Sequence, residues 1–306
     1  MRVAIDDEFS LPVIADSGQC FRFTAMDCGG KETVPRGEKR PEAEANPGKI
    51  YRIQAKDRVL LMRALENGSY DVSCSRQEYD DFWVPYFSFE DNYRKIRESI
   101  DPETDPYLYA CAAGLSGLRL LRQDPFETLI SFIISQRKSI PGIRSAVEKL
   151  CRMAGAPFVG PETLDEAGEP RGSRTYYAFP DASAIAGCST GELASCGLGY
   201  RTRYVKQTAG MTADGEFSLE TLAGLPDEQA LDCLEKLPGV GVKIASCVLL
   251  FGLHRLNAFP RDVWINRVID EQYGGRFDLS RYAPYNGIIQ QYLFMGIRKE
   301  NRGKRS

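Results

Sequence analysis

The chain has 306 residues, 43% hydrophobic and 26% charged, with a formal net charge of −3. This balance describes a soluble globular protein with room for two modest domains. It excludes a bilayer-spanning chain, since no apolar run approaches the length a membrane helix needs.

The opening ten residues lack a long apolar core, so no secretory signal is expected. Residues 1 to about 85 read as β-rich. Ile50–Ile53 and Val59–Leu61 alternate like strands, and Asn67-Gly68 is a hairpin signal. Gly29–Gly48, charged and rich in Pro and Gly, reads as a loop between strands. From Ser88 the period becomes helical, with Tyr93, Ile96 and Ile100 in register. The acidic stretch Asp101–Pro106 is the expected boundary between a domain at 1–105 and a second at 106–306.

Beyond that boundary helices dominate. Asp124-Pro125, a cap followed by proline at the first helical position, opens an apolar helix over Phe126–Ile134. Ile143–Met153 is amphipathic, and Gly155–Arg174 reads as loop. Leu225–Leu237, Ile244–Leu253, Val263–Ile269 and Ile288–Ile297 complete a mainly helical second part. The two parts differ in charge: 15 basic and 21 acidic residues before position 106, 24 and 21 after it. Contacts to a polyanion are therefore expected from the second part.

Nine cysteines with no CxxC pair read as reduced thiols. A single histidine, His254, gives little support to a zinc site or to Ser-His or Cys-His catalysis. No cysteine follows Cys247, which argues against a C-terminal iron–sulfur cluster.

The most informative stretch is LEKLPGVGVKIASCVLLFGLHRLNAFPRDVWINRVI, from Leu234 to Ile269. Leu237-Pro238-Gly239-Val240-Gly241 breaks one helix, and another starts near Val242. Glycines in so short a turn permit close backbone approach, and the following helix N-terminus suits a phosphate. A simple helical corner fits the same pattern. Lys243 inside the second helix is by position an ordinary surface charge, and Asp262 before the next helix an ordinary N-cap.

Four further segments give these residues a context: DSGQCFRF from Asp16, GLRLLRQDP from Gly117, GLGYRTRY from Gly197 and PYNGIIQQYLF from Pro284. Together with LPGVGVK and Asp262, in this order, the chain resembles the 8-oxoguanine DNA glycosylase/AP lyase family of the helix-hairpin-helix superfamily. The resemblance implies an α+β fold. A small N-terminal antiparallel sheet domain would pack on a helical helix-hairpin-helix domain, with the active site between them.

The resemblance also implies roles. Lys243 would attack the sugar as a neutral amine and form a Schiff base that permits β-elimination. Asp262 would stabilise positive charge on the deoxyribose. The carbonyl of Gly18, otherwise a turn glycine, would accept the N7 proton that 8-oxoguanine has and guanine lacks. Phe294 and Cys247, otherwise core residues, would sandwich the flipped base, and Gln290 would read its Watson–Crick edge. Tyr200 and Arg201 would occupy the vacated site, one as wedge and one against the opposite base. Gly239, Gly241 and Val242 would hold phosphate.

Two departures stand out. Arg137 occupies a position where many members have asparagine, and Gly142 one where they have the arginine that reads the opposite cytosine. Trp264 stands where some have a histidine near phosphate. It offers one N–H donor and no charge.

The expected protein is a bifunctional 8-oxoguanine glycosylase and lyase of base excision repair, acting as a monomer on double-stranded DNA containing oxidised guanine. No membrane partner, catalytic metal or required cofactor is expected, though the resemblance allows a monovalent cation at the hairpin carbonyls. Its compartment would be the bacterial nucleoid or the nucleus. A non-catalytic hairpin DNA-binding protein and an alkylpurine glycosylase are the alternatives. Lys243 counts against the second, because that group generally lacks the lysine.

Overall fold

The computed structural model describes residues 1–26, 48–66 and 68–303, without the side chains at 302 and 303. Residues 29–47 of the expected loop and Asn67 of the hairpin signal lie outside the described residues.

Strands β1 (Arg2–Ala4), β2 (Phe23–Ala25), β3 (Ile50–Ala55), β4 (Arg58–Ala64) and β5 (Ser69–Val72) form one antiparallel sheet in the order β1-β5-β4-β3-β2. Tyr51 pairs with Met62, and Ile53 with Leu60. Helix α1 (Leu11–Asp16) links β1 to β2. All six residues of β3 are buried because both faces of the sheet are covered. On one face Tyr51, Ile53, Leu60 and Met62 pack with Trp83 and Phe87. On the other, Ile50, Val59 and Leu61 pack with Leu164 and Tyr176.

That second cover corrects the reading of Gly155–Arg174 as loop. The segment carries β6 (Pro157–Gly160), β7 (Thr163–Leu164) and β8 (Pro170–Arg171), with β9 (Arg174–Tyr177) pairing back onto β6. Two-residue strands among prolines and glycines have no readable period, and their apolar residues are explained only by the sheet they cover. The β-rich first part also contains more helix than its pattern suggests. Besides α1, the chain turns helical from Arg76 to Tyr86, through a π-turn at Tyr79–Trp83.

The helical part comprises α2 (Tyr93–Glu98), α3 (Pro106–Ala113), α4 (Pro125–Ser135), α5 (Ile140–Ala154), α6 (Ala182–Gly187), α7 (Thr190–Ser195), α8 (Thr202–Ala213), α9 (Asp227–Glu235), α10 (Val242–Cys247), α11 (Val263–Tyr273) and α12 (Asn286–Gly303), with a short turn of helix between α8 and α9. The architecture is α+β, an antiparallel sheet packed on a mainly helical body. Asp124 caps α4, accepting from the Phe126 and Glu127 amides at 2.9 Å each. The expected helix Ile244–Leu253 is shorter, ending at Cys247 and continuing as a π-turn over Val248–Gly252.

The two parts interlock. Val13 and Phe21 belong to the helical core, and the Phe21 ring sits 5.7 Å from Phe132. Buried Gln19 makes the junction polar and specific. Its amide donates to the Arg119 carbonyl at 2.8 Å and accepts from the Leu121 amide at 2.8 Å. Gln123 donates to its backbone carbonyl at 2.8 Å. These bonds fix the position of the neighbouring Gly18.

Candidate active site and nucleic-acid face

Between α9 and α10 the chain reverses in a tight turn closed by the Val240 amide donating to Leu237 at 3.1 Å. Gly239 has φ +77, and a β-carbon there would lie 2.5 Å from the Tyr204 ring. Only glycine satisfies both constraints. Gly241 is the N-cap of α10 and has no side chain to cap it. Val242 is 63% exposed, so the start of α10 faces solvent with its first N–H groups uncapped by side chains.

In the first turn of α10, Lys243 is half-buried, its ammonium 4.9 Å from the Phe132 ring centre. Its charge acts on the buried Cys247 thiol, one turn further along the helix. Burial pushes that thiol up, Lys243 pulls it down, and the Asp262 carboxylate adds an upward push. Amine, thiol and carboxylate thus share one electrostatic neighbourhood, although Lys243 and Asp262 are on different helices. Asp262 is the N-cap of α11. A single oxygen, Oδ1, accepts from the Trp264 amide at 3.0 Å and the Ile265 amide at 2.9 Å. Among the described residues Oδ2 accepts no hydrogen bond, so the cap leaves it available.

Helix α12 presents Gln290, Phe294 and Arg298 four residues apart, hence on one face. Gly18, at φ +78, meets this face: a β-carbon there would sit 3.9 Å from the Phe294 ring and 3.7 Å from Arg298 Nη1. Space is adequate, and it is the left-handed backbone that calls for glycine. The Arg298 guanidinium lies 5.1 Å from the Phe294 ring centre and donates to the Asp16 carbonyl at 3.5 Å. Cys247 is buried. Gln290 is also buried, and its amide is engaged: Nε2 donates to the Pro260 carbonyl at 2.9 Å, and Oε1 accepts from Gln291 at 2.8 Å.

Residues 2–129 match the family described as 8-oxoguanine DNA glycosylase, N-terminal domain, and residues 130–276 match the HhH-GPD superfamily of base excision DNA repair proteins. The chain belongs to the 8-oxoguanine DNA glycosylase family. A relative in Methanothermobacter thermautotrophicus, a probable N-glycosylase/DNA lyase, is 31% identical over 60% of this chain and 64% of its own. The N-glycosylase/DNA lyase of Saccharomyces cerevisiae is 31% identical over 51% of this chain and 42% of its own. The matched regions thus span less than two thirds of these relatives. Among solved structures, the Clostridium acetobutylicum 8-oxoguanine glycosylase/lyase, bound to duplex DNA containing cytosine opposite 8-oxoG, superposes with a TM-score of 0.78. It is 27% identical, and 98% of each chain is covered. The 3-methyladenine DNA-glycosylase of Archaeoglobus fulgidus, at 17% identity and a TM-score of 0.64, shares the fold.

In this 8-oxoguanine glycosylase family member, Tyr200, Arg201 and Arg137 gather beside the hairpin through Gln136 and Tyr204. Tyr200 is 55% exposed on a short turn, with the Arg201 guanidinium 4.4 Å from its ring centre. Arg201 itself is buried, donating to the Leu198 carbonyl at 3.1 Å and to the Gln136 carbonyl. Its two terminal nitrogens face protein oxygens, and its Nε is buried without a hydrogen-bond partner among the described residues. Arg137 is exposed at φ +48, a conformation unfavourable for a residue with a β-carbon. Gly142 is half-buried in the first turn of α5. Trp264 packs partly on the helical core, and the exposed residue beside it is Val263 at 77%.

Sequence reasoning missed Arg298, Gln136 and the Pro260 carbonyl. The first was findable by its spacing from Phe294, the others by no local signal. A cavity of about 210 Å³ lies away from Lys243 and Asp262, lined by Cys20, Lys56, Phe82, Tyr86, Arg122 and Glu127 among others. The chemistry, not that cavity, assigns the site.

Proposed function

We propose that the chain is a bifunctional 8-oxoguanine DNA glycosylase and lyase that acts as a monomer on duplex DNA in base excision repair, at the nucleoid or in the nucleus. The observation that carries this reading is Lys243 in the first turn of α10, directly after the exposed hairpin, together with Asp262, whose cap of α11 uses one carboxylate oxygen and leaves the other available. In it, residues 1–105 supply the Gly18 wall of the base pocket and residues 106–306 the reacting groups. No described helix is long and apolar enough to cross a membrane.

The hairpin and the start of α10 take a backbone phosphate, and Tyr200 fills the space left by the extruded base. The base lies between Phe294 and Cys247. The Gly18 carbonyl accepts its N7 proton, where guanine would present a lone pair. The Gln290 amide, held by the Pro260 carbonyl and by Gln291, keeps a second N–H and a second oxygen lone pair to read the base edge. As the bond from C1′ to the base breaks, the free oxygen of Asp262 faces the positive charge developing on the sugar. The neutral Lys243 amine bonds C1′, the sugar ring opens onto O4′, and an iminium forms. Loss of a C2′ proton then expels the 3′ phosphate, and water releases the lysine. A monovalent cation suits the hairpin carbonyls as oxygen donors. The Leu237 and Gly239 carbonyls each already accept one hydrogen bond and keep a second lone pair. It would strengthen phosphate binding only.

Borohydride reduction on 8-oxoguanine duplex should trap the protein covalently, and Lys243→Gln should abolish the adduct while retaining binding to damaged DNA. An undiminished adduct in the variant would overturn the lysine's role. The same experiment separates this reading from a non-catalytic hairpin protein, which gives no adduct.

A further inference from the structure

We infer that Gln136 is a positioning residue that locks the hairpin, the Tyr200 wedge and the Arg137 loop into one rigid DNA-facing unit. The inference rests on the glycosylase reading above and goes beyond the residues it uses.

Gln136 is the C-cap of α4, where the last helical carbonyls lack partners. Its side-chain amide has two N–H donors, and both are spent on backbone. One goes to Ile133 in the last turn of α4 at 3.1 Å, the other to Gly239 at the hairpin tip at 3.1 Å. Its own carbonyl accepts from the buried Arg201, whose guanidinium lies against Tyr200. The next residue is the exposed Arg137, and after it Lys138 donates to the Gly197 carbonyl at 2.8 Å, at the start of the wedge turn.

One residue therefore touches three elements that are far apart in sequence and adjacent in space. Each of them carries a group assigned to DNA: Gly239, Tyr200 and Arg137. The contact at Tyr204 closes the arrangement, since the hairpin glycine packs on that ring and Tyr204 meets Tyr200 edge-on at 6.2 Å. A displacement of the wedge must shift Arg201, then the Gln136 backbone, then the hairpin. Lys243 begins two residues beyond that hairpin. Gln136 thus links insertion of the wedge to placement of the reacting amine, without touching DNA or substrate.

The test separates positioning from simple stability. Gln136→Met keeps the length of the side chain and removes both donors. Binding is measured on two duplexes, one undamaged and one with a tetrahydrofuran abasic analogue opposite cytosine. Undamaged DNA is held mainly through phosphates, whereas the analogue engages the wedge. The variant should weaken binding to the analogue by roughly tenfold, the scale of about one lost hydrogen bond in a network, and change binding to undamaged duplex less than about twofold. In a Tyr200→Ala background the same substitution should have little further effect, because the element it positions is gone.

Equal losses on both duplexes, or a full loss persisting without Tyr200, overturn the inference. A wild-type protein with no preference for the analogue also overturns it. If Gln136→Met does not fold, Gln136→Glu removes the same donors with a near-isosteric group and is judged by the same ratios. Failure of the glycosylase reading appears elsewhere, as absence of a borohydride adduct in the wild-type protein.

Discussion

Replacing Asp262 separates two roles that the structure assigns to different oxygens. Both capping bonds of α11, at 3.0 and 2.9 Å, end on Oδ1. Asparagine with its amide oxygen at that position keeps both, so Asp262→Asn should change stability by less than about 0.5 kcal/mol. Alanine loses both bonds, and Asp262→Ala should be destabilised by about 1 kcal/mol. The chemistry follows Oδ2, where asparagine puts a neutral NH2 in place of negative charge. Loss of one preorganised electrostatic group lowers a rate on the order of 10²–10³-fold. Both variants should therefore show that loss in single-turnover excision of 8-oxoguanine, while only alanine lowers the melting temperature. Wild-type excision by Asp262→Asn would reduce the residue to a cap. An asparagine variant as unstable as alanine would show the division between the two oxygens to be wrong.

Gly18→Ala has room for its methyl group but must hold φ +78, at about 1–2 kcal/mol of strain. The carbonyl should turn away, so excision of 8-oxoguanine should fall while cleavage of a preformed abasic duplex is unchanged; parallel losses would count against base recognition there. Glu127 is the pH-sensitive group of the junction. Burial raises it to about 7 despite Arg22 at 3.7 Å. Its folded value exceeds the ordinary 4.5, so the folded protein keeps a proton that the unfolded chain releases. Stability should fall as pH rises from about 4.5 to 7, by at most about 3 kcal/mol. Glu127→Gln should flatten that part of the melting profile, and an identical profile would refute the assignment. Gly142 has no side chain to contact an opposite cytosine, and a lost bidentate contact is worth about 1–3 kcal/mol. Excision opposite the four bases should accordingly discriminate roughly tenfold less than in a relative bearing arginine; equal discrimination would point to Arg137→Ala as the next variant.

The fold was legible where a period ran long enough to be read. The alternation in β3 and β4 and the capped run from Asp124 mark the sheet and α4 directly, because local chemistry and tertiary burial agree there. The cover formed by β6 to β9 was illegible for the opposite reason. Its strands are two to four residues long, and Phe158, Leu164 and Tyr176 are ordered by a sheet about a hundred residues earlier. The glycine that ends the π-turn after α10 is likewise set by packing, since a β-carbon on Gly252 would lie 3.0 Å from the Pro125 backbone.

The site divides along the same line. Lys243 and Asp262 each sit at a helix start that the sequence marks, a glycine hairpin for one and a cap for the other, yet by position they read as a surface charge and a cap, and only the family resemblance gave them roles. Gly18 was legible only through the motif around it, and what holds it is Gln19, bonded to residues about a hundred positions away. Arg201 shows the limit of motif reasoning. Its sequence context puts it against DNA, yet its guanidinium is buried against the Leu198 and Gln136 carbonyls. An arginine that already satisfies backbone carbonyls gives them up only for an acceptor of comparable strength. Either the opposite base supplies one after the wedge enters, or Arg201 serves by stiffening Tyr200 and leaves the opposite strand to Arg137. Arg201→Met distinguishes them. The first case predicts loss of discrimination among opposite bases, and the second an equal loss opposite all four, as a loosened wedge would produce.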